Sequence, residues 1–196
     1  MRNLYVLFSA SLLAGTISAY AQKDSSGIYT SVDDYRSGHL AYPINYVTDR
    51  QKIKDYLFLD ATKVKVKHGG ETHLLDKNNI YGYRNTKGID YRFVGNSAYR
   101  ILSPGEPIIL YKYGEPESDP TRNPPRMMNR YFFSTNEANS PISLTRRNLK
   151  AAFPDNARFH ELIDRNFRSD DELTRFNRAN NRYTVNILLE ESKAQQ

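Results

Sequence analysis

The sequence predicts an α+β fold in which a small antiparallel β-meander, curled into a barrel-like sheet, is followed by a C-terminal group of short helices packed on it. Two observations support this class. Between residues 62 and 113, apolar and polar side chains alternate, and Gly or Asn turn residues close each short segment. That pattern is typical of antiparallel strands. After Pro141 the apolar residues recur at helical spacing instead.

Six short strands are predicted in the β-rich part. Val64 and Val66 alternate with lysines, and Gly69-Gly70 turns the chain back on itself, which indicates a hairpin. The six predicted segments are centred on residues 64–66, 72–75, 80–84, 89–94, 99–102 and 107–113. One more short strand is predicted at residues 131–133.

The helical part, residues 142–192, begins with two predicted helices separated by Pro154. The first presents apolar residues between Leu144 and Phe153, and Asp155 can cap the second. The second should bury an i, i+3, i+4, i+8 set, which is Phe159, Leu162, Ile163 and Phe167. Helices this short need the sheet for stability, so a single domain is expected.

Two further helices are predicted near the C-terminus. Ser169 and Glu172 match a capping box, which starts a helix with Leu173 and Phe176 facing inward. The apolar run at residues 185–189 is interpreted as a fourth helix.

Residues 1–21 match a cleavable signal peptide. Arg2 precedes an uncharged apolar stretch, and Ala19 and Ala21 stand at the −3 and −1 positions that a signal peptidase reads. The mature chain, residues 22–196, is then expected to be exported, either to the periplasm or out of the cell. No later segment is apolar enough to predict a transmembrane helix.

The composition limits the classes of function. Removing residues 1–21 takes one positive charge from the formal net charge of +6 and leaves +5. Such a chain is drawn to anionic partners, but its basic residues are dispersed, so no nucleic-acid partner is predicted. The chain has no cysteine, which excludes disulfides and a lipid-modified cysteine. No P-loop, dinucleotide fingerprint or serine-nucleophile elbow occurs, and no cofactor is predicted.

A repeated Tyr-Arg dipeptide is the most distinctive pattern. Three of its four copies fall in successive predicted strands: Tyr83-Arg84, Tyr91-Arg92 and Tyr99-Arg100. Because neighbouring strand residues point to opposite faces, the tyrosines should line one face and the arginines the other. Either the surface binds a ligand, with tyrosine platforms and arginine donors, or the tyrosines fill the core.

Histidines supply the two candidate metal sites. His160, Glu161 and Asp164 form an H-E-x-x-D run, in which His160 and Asp164 share a helix face and Glu161 can activate a bound water. The alternative is a solvated helix face. His68 and His73 flank the Gly69-Gly70 turn and can face each other across the hairpin, or lie exposed beside it.

Several segments resemble a family of uncharacterised exported proteins from Bacteroidetes-type Gram-negative bacteria. The similar segments are Gly27-Ile28-Tyr29, residues 80–84 with 91–93, and residues 149–159. The resemblance spans most of the mature chain and implies an exported protein. It brings no activity, cofactor or catalytic residue.

The sequence therefore favours a non-enzymatic envelope protein that binds a polymer, a glycan or a protein partner through its Tyr/Arg-rich sheet. One alternative is a metal-dependent hydrolase that uses His160, Glu161 and Asp164. Another is an interaction scaffold that docks through residues 114–129, a stretch with four prolines that predicts an exposed loop.

Overall fold

A computed structural model describes residues 25–45, 53–54, 62–116 and 127–194 of the chain. The predicted signal peptide and the centre of the predicted proline-rich loop lie outside these residues.

The described strands are, in chain order, β1 (Ser25–Tyr29), β2 (Ala41–Asn45), β3 (Ile53–Lys54), β4 (Lys63–His68), β5 (Glu71–Asp76), β6 (Gly82–Arg84), β7 (Asp90–Val94), β8 (Ser97–Ile101), β9 (Ile109–Pro116), β10 (Met127–Ser134), β11 (Ile142–Ser143), β12 (Phe176–Asn177) and β13 (Arg182–Tyr183). The helices are α1 (Val32–Ser37), α2 (Arg146–Ala152), α3 (Ala157–Asn166) and α4 (Thr184–Lys193). Single 3-10 turns cover Lys77–Asn79 and Asp170–Thr174.

Among the described residues, the main sheet has eight strands in the order β11-β10-β9-β8-β7-β6-β1-β2, and each strand pairs with its neighbours in antiparallel fashion. The α+β class is therefore confirmed. The last four strands of the predicted meander are β6 to β9, and the separately predicted strand β10 follows them in the sheet, which β11 extends. The first two predicted strands, β4 and β5, belong instead to a second sheet with β3. The 3-10 turn connects them to the meander, and buried Lys77 in that turn donates from Nζ to the carbonyl of Asn96 at 2.9 Å.

The main sheet has two faces, which we name from their contents. The front face carries Ile28, Tyr83 and Phe93, which pack with Val64 and Val66 of the β4–β5 hairpin. Farther along the same face, the C-terminal helices cover β9 and β10. The back face carries the alternate residues of these strands, which include Tyr29 and Tyr111. Tyr35 of α1 packs against this face.

The helical prediction is confirmed where the apolar spacing is strongest. Phe159, Leu162, Ile163 and Phe167 are buried with Leu110 and Phe133 of the sheet. The cap of α3 is Asn156 rather than the predicted Asp155, because the Asn156 side chain accepts from the backbone nitrogen of Phe159 at 2.9 Å. The fourth predicted helix is present as α4.

The predicted third helix is present only as a single 3-10 turn, in which Leu173 is buried as predicted. Ser169 makes no side-chain cap bond, and the segment is a 3-10 turn that ends at Thr174. The Glu172 carboxylate accepts from the backbone nitrogen of Arg168 and from the Arg175 side chain, so the return bond of a capping box does not form. Phe176 consequently lies in β12 and is 44% exposed.

The hairpin of β9 and β10 extends into the range predicted as a loop. Paired residues continue to Pro116 on one strand and begin at Met127 on the other, so Gly114 and Asn129 are strand residues opposite each other. Among the described helices, none is both long and apolar enough to cross a membrane.

Candidate functional site

The Tyr-Arg dipeptides do not all point the same way. Tyr83 lies opposite Tyr91, whereas Tyr91 lies opposite Arg100 and Arg92 lies opposite Tyr99. Directly opposed residues of antiparallel strands share a face, so the third dipeptide is reversed relative to the other two. The prediction of tyrosines on one face and arginines on the other is therefore wrong at Tyr99 and Arg100.

The front-face tyrosines of the first two dipeptides contribute to the core. The Tyr83 and Tyr91 rings stack at 4.8 Å with an angle of 7° between their planes, and Tyr83 also stacks on Phe93. Tyr83 is buried beneath the hairpin, while Tyr91 is half-buried at the edge of that cluster.

The back-face arginine of the second dipeptide is a structural group. Arg92 is only 7% exposed and donates to the carbonyl oxygen of Asn139 at 2.7 Å. Its guanidinium also lies over the rings of Tyr81 and Tyr111, at 5.2 and 5.9 Å from their centroids. These contacts fix the 138–139 segment to the sheet and leave Arg92 buried under it.

Tyr99 belongs to a separate aromatic group on the back face. Its ring stacks on Tyr113 at 5.0 Å and meets Phe132 edge-on at 5.0 Å. The reversed dipeptide thus places a tyrosine behind the sheet and an arginine in front of it.

One line of side chains crosses the front face on five neighbouring strands. Its members are opposed pairwise in the register, and we call them the front row: Tyr83, Tyr91, Arg100, Lys112 and Tyr131. At the usual spacing of strands, the row is about 20 Å long. Two basic residues lie at its centre and tyrosines lie at both ends.

The centre of the front row is open. Tyr91 packs against the hairpin cluster and Tyr131 against the helical cluster, and both are half-buried. Between them Arg100 is exposed and Lys112 is half-buried. The front face is therefore covered on both sides of this pair but not over it.

The two cations of the front row have no acidic partner among the residues that the structure describes. Within the described part of the chain, neither Arg100 nor Lys112 forms an ion pair or a side-chain hydrogen bond. Like charges on directly opposed strand positions repel each other. Burial raises the pKa of the nearby phenol of Tyr183, and the charge of Arg100 opposes that rise. The arrangement is suited to an anion that contacts both cations at once.

His160, Glu161 and Asp164 of the H-E-x-x-D run each contact protein groups instead of one another. His160 Nε2 lies 3.0 Å from the carbonyl oxygen of Lys150 and 2.9 Å from that of Phe153. Asp164 pairs with the Lys150 ammonium, and Glu161 pairs with Arg158 at 3.1 Å. Across the described residues, no three His, Cys, Asp or Glu side chains are grouped to hold a metal ion.

The second histidine pair is not directly opposed in the hairpin. His68 lies opposite Glu71, and His73 lies opposite Val66. Both rings contact Tyr42, with centroids 6.0 and 4.7 Å away. Tyr42 thus connects the two imidazoles to the edge strand β2.

Of the six predicted binding residues, the structure brings Tyr83, Tyr91 and Arg100 into the front row and separates Arg84, Arg92 and Tyr99 from it. Lys112 and Tyr131 were missed, because their place depends on the pairing of β8, β9 and β10. The only sequence signal for them was a basic or aromatic residue in each successive strand.

Comparison with protein-family models, with curated proteins and with solved structures finds no match for this chain. The resemblance to exported bacterial proteins therefore stays a prediction, and the interpretation of the site depends on its own geometry.

Proposed function

We propose that the protein is a non-enzymatic, exported envelope protein that binds an anionic polymer along the front row. The observation that carries the proposal is the pair of cations, Arg100 and Lys112, which have no acidic partner among the described residues and lie on an open strip of sheet. A polymer that carries carboxylate, sulfate or phosphate groups can pair one anionic group with Arg100 and the next with Lys112.

The tyrosines give the row its second property. Tyr91 and Tyr131 are half-buried on either side of the cations, so each offers an immobilised aromatic surface that loses little entropy on binding. Three strand spacings separate them, which is about 15 Å and matches a few repeating units of a polymer. The formal net charge of +5 for the mature chain adds long-range attraction that salt would screen.

A charge-matched pair of variants tests the proposal. Arg100→Ala/Lys112→Ala removes the two central cations, whereas Lys87→Ala/Arg147→Ala removes two exposed cations elsewhere. Binding to immobilised polygalacturonate and dextran sulfate is measured against neutral dextran, at low and high salt. The front-row variant should bind about tenfold or more weakly, and the control should stay close to the parent protein.

Equal losses in the two variants would show that net charge alone drives binding and would overturn the assignment to the front row. Retained affinity in Arg100→Ala/Lys112→Ala would do the same. The envelope location is tested separately by fractionating cells that make the tagged protein, and recovery in the cytoplasm would contradict it.

The two alternative functions are less well supported. The three residues of the H-E-x-x-D run have separate protein partners, which disfavours a hydrolase built on them. A scaffold role for the proline-rich loop depends on residues 117–126, outside the described chain, and stays a prediction.

A further inference from the structure

A cleft of about 440 Å³ opens on the back face of the main sheet, away from the front row. It lies between α1, the paired strands β6 and β7, and the turn at Pro104-Gly105. Its volume falls within the range of small-molecule sites, which is roughly 300–1,000 Å³. Charged side chains and one tyrosine line its interior.

The base of the cleft holds a fixed guanidinium. Arg84 donates from Nε and Nη2 to the two oxygens of Asp90, at 2.8 and 3.1 Å, and Tyr29 donates to the same carboxylate at 2.9 Å. The hydrogen bond with Asp90 raises the pKa of Arg84. Within the described residues Nη1 of Arg84 has no acceptor, so a rigidly placed donor remains for a ligand.

A second unused donor comes from α1. The Tyr35 ring is fixed by stacking on Tyr81 at 5.0 Å and by an edge contact with Tyr29 at 5.3 Å. Its hydroxyl makes no hydrogen bond with the described chain, although the side chain lines the cleft. Burial, with the nearby charge of Asp90, raises the pKa of Tyr35, so the hydroxyl stays protonated and can donate. Two fixed donors match a carboxylate.

The rim supplies the opposite charge. Arg36 Nε lies 3.3 Å from Oε2 of Glu137, and the Arg36 side chain is 49% exposed. The Glu137 side chain is only 20% exposed, so its carboxylate is partly shielded from solvent at the edge of the cleft. The other Glu137 oxygen, Oε1, has no donor in the described part of the chain, so it can accept from an ammonium group.

We propose that this cleft binds a small zwitterion, of which a free α-amino acid is the simplest member. The ligand carboxylate accepts from Arg84 Nη1 and the Tyr35 hydroxyl, and its ammonium group donates to Glu137. The site is on the opposite face from the front row and does not depend on polymer binding.

Amide NMR titrations of the purified protein test the proposal with three probes: L-alanine, propionate without the ammonium group, and alaninamide without the carboxylate. L-Alanine should shift the Gly38 and Gly105 amides saturably and leave those of Gly69 and Gly88 in place. Propionate and alaninamide should each bind at least about tenfold more weakly.

Two conservative variants complete the test. Tyr35→Phe keeps the stacked ring and should weaken alanine binding about fivefold, while Tyr113→Phe removes a hydroxyl outside the cleft and should have no effect. Glu137→Gln should abolish the preference for alanine over propionate. Arg100→Ala/Lys112→Ala should bind alanine like the parent, which separates this site from the front row.

Three results would overturn the proposal. They are the absence of saturable shifts at about 10 mM L-alanine, equal binding of propionate and alanine by the parent protein, and unchanged affinity in Tyr35→Phe.

Discussion

Replacing Gly82 with alanine should destabilise the protein severely. Gly82 lies in β6 between β1 and β7, and a Cβ added there would be 2.0 Å from the carbonyl oxygen of Tyr91 and 3.1 Å from the Cα of Arg92. Ordinary carbon–oxygen contacts are about 3.3 Å or longer, so the strands must separate by roughly 1 Å. The obstructing atoms are backbone, which cannot turn aside as a side chain can.

The magnitude follows from two contributions. Overpacking of a tight interior costs about 1–3 kcal/mol, and each strand hydrogen bond weakened by the separation adds about 1 kcal/mol. We therefore expect Gly82→Ala to lower the free energy of unfolding by about 3–5 kcal/mol, a large share of the 5–15 kcal/mol typical of a domain.

Urea denaturation followed by circular dichroism measures this loss, and Gly88→Ala is the matched control. Gly88 has a φ of +69° and nothing within 4 Å of an added Cβ, so its replacement should cost only the backbone strain of about 1–2 kcal/mol. A Gly82→Ala protein as stable as Gly88→Ala would refute the close pairing of β6 with β7.

Three further predictions concern the helical part and α1. Asn186 is 1% exposed, and its side chain hydrogen-bonds both the N–H and the C=O of Ile108 at 2.9 Å. Asn186→Leu should therefore lower the free energy of unfolding by about 2–4 kcal/mol in the same urea assay. An unchanged stability would contradict these two hydrogen bonds. Phe159→Ala should cost about 3–5 kcal/mol because the ring is fully buried between helices and sheet, and a loss below 1 kcal/mol would contradict that packing. The hydrogen bond from Thr30 lowers the pKa of Asp34. The stabilisation from Asp34 is therefore complete above the unfolded-state pKa of about 4 and is lost as the pH falls through the lower folded-state value. Melting temperatures of the parent and Asp34→Asn should therefore converge as the pH falls below about 4, and a constant difference would contradict this assignment.

Local sequence patterns predicted an element correctly where the tertiary packing buries the same residues that the pattern marks as apolar. The alternation of Val64 and Val66 and the spacing of Phe159 and Ile163 each predicted both an element and its buried face. The capping box predicted at Ser169 does not form, because other donors compete with the Ser169 backbone nitrogen for the Glu172 carboxylate. Arg168 and Arg175 take the carboxylate that the box would have used.

The candidate site could be predicted only in part, because the register of β8 with β9 and of β9 with β10 is not set by a short turn. The sequence alone does not show which residues lie opposite each other in β8, β9 and β10. Lys112 and Tyr131 could therefore not be assigned to the same row as Arg100. A shift of one residue in pairing moves every side chain of a strand to the other face. The reversal of Tyr99 and Arg100 is such a phase difference, and the two-residue turn at residues 95–96, which pairs Val94 with Ser97, sets it.

That phase difference creates the proposed binding surface. If the tyrosine of the β8 dipeptide faced the front, as those of β6 and β7 do, Tyr99 would continue the row of tyrosines on the front face. Arg100 would then lie on the back face near Arg92. The front row would then lack its exposed central cation. Instead, Arg100 lies opposite Lys112, and the repulsion between them has no acidic counterpart in the described chain. The register therefore concentrates positive charge on an open strip of the front face, where an anionic ligand would relieve the repulsion.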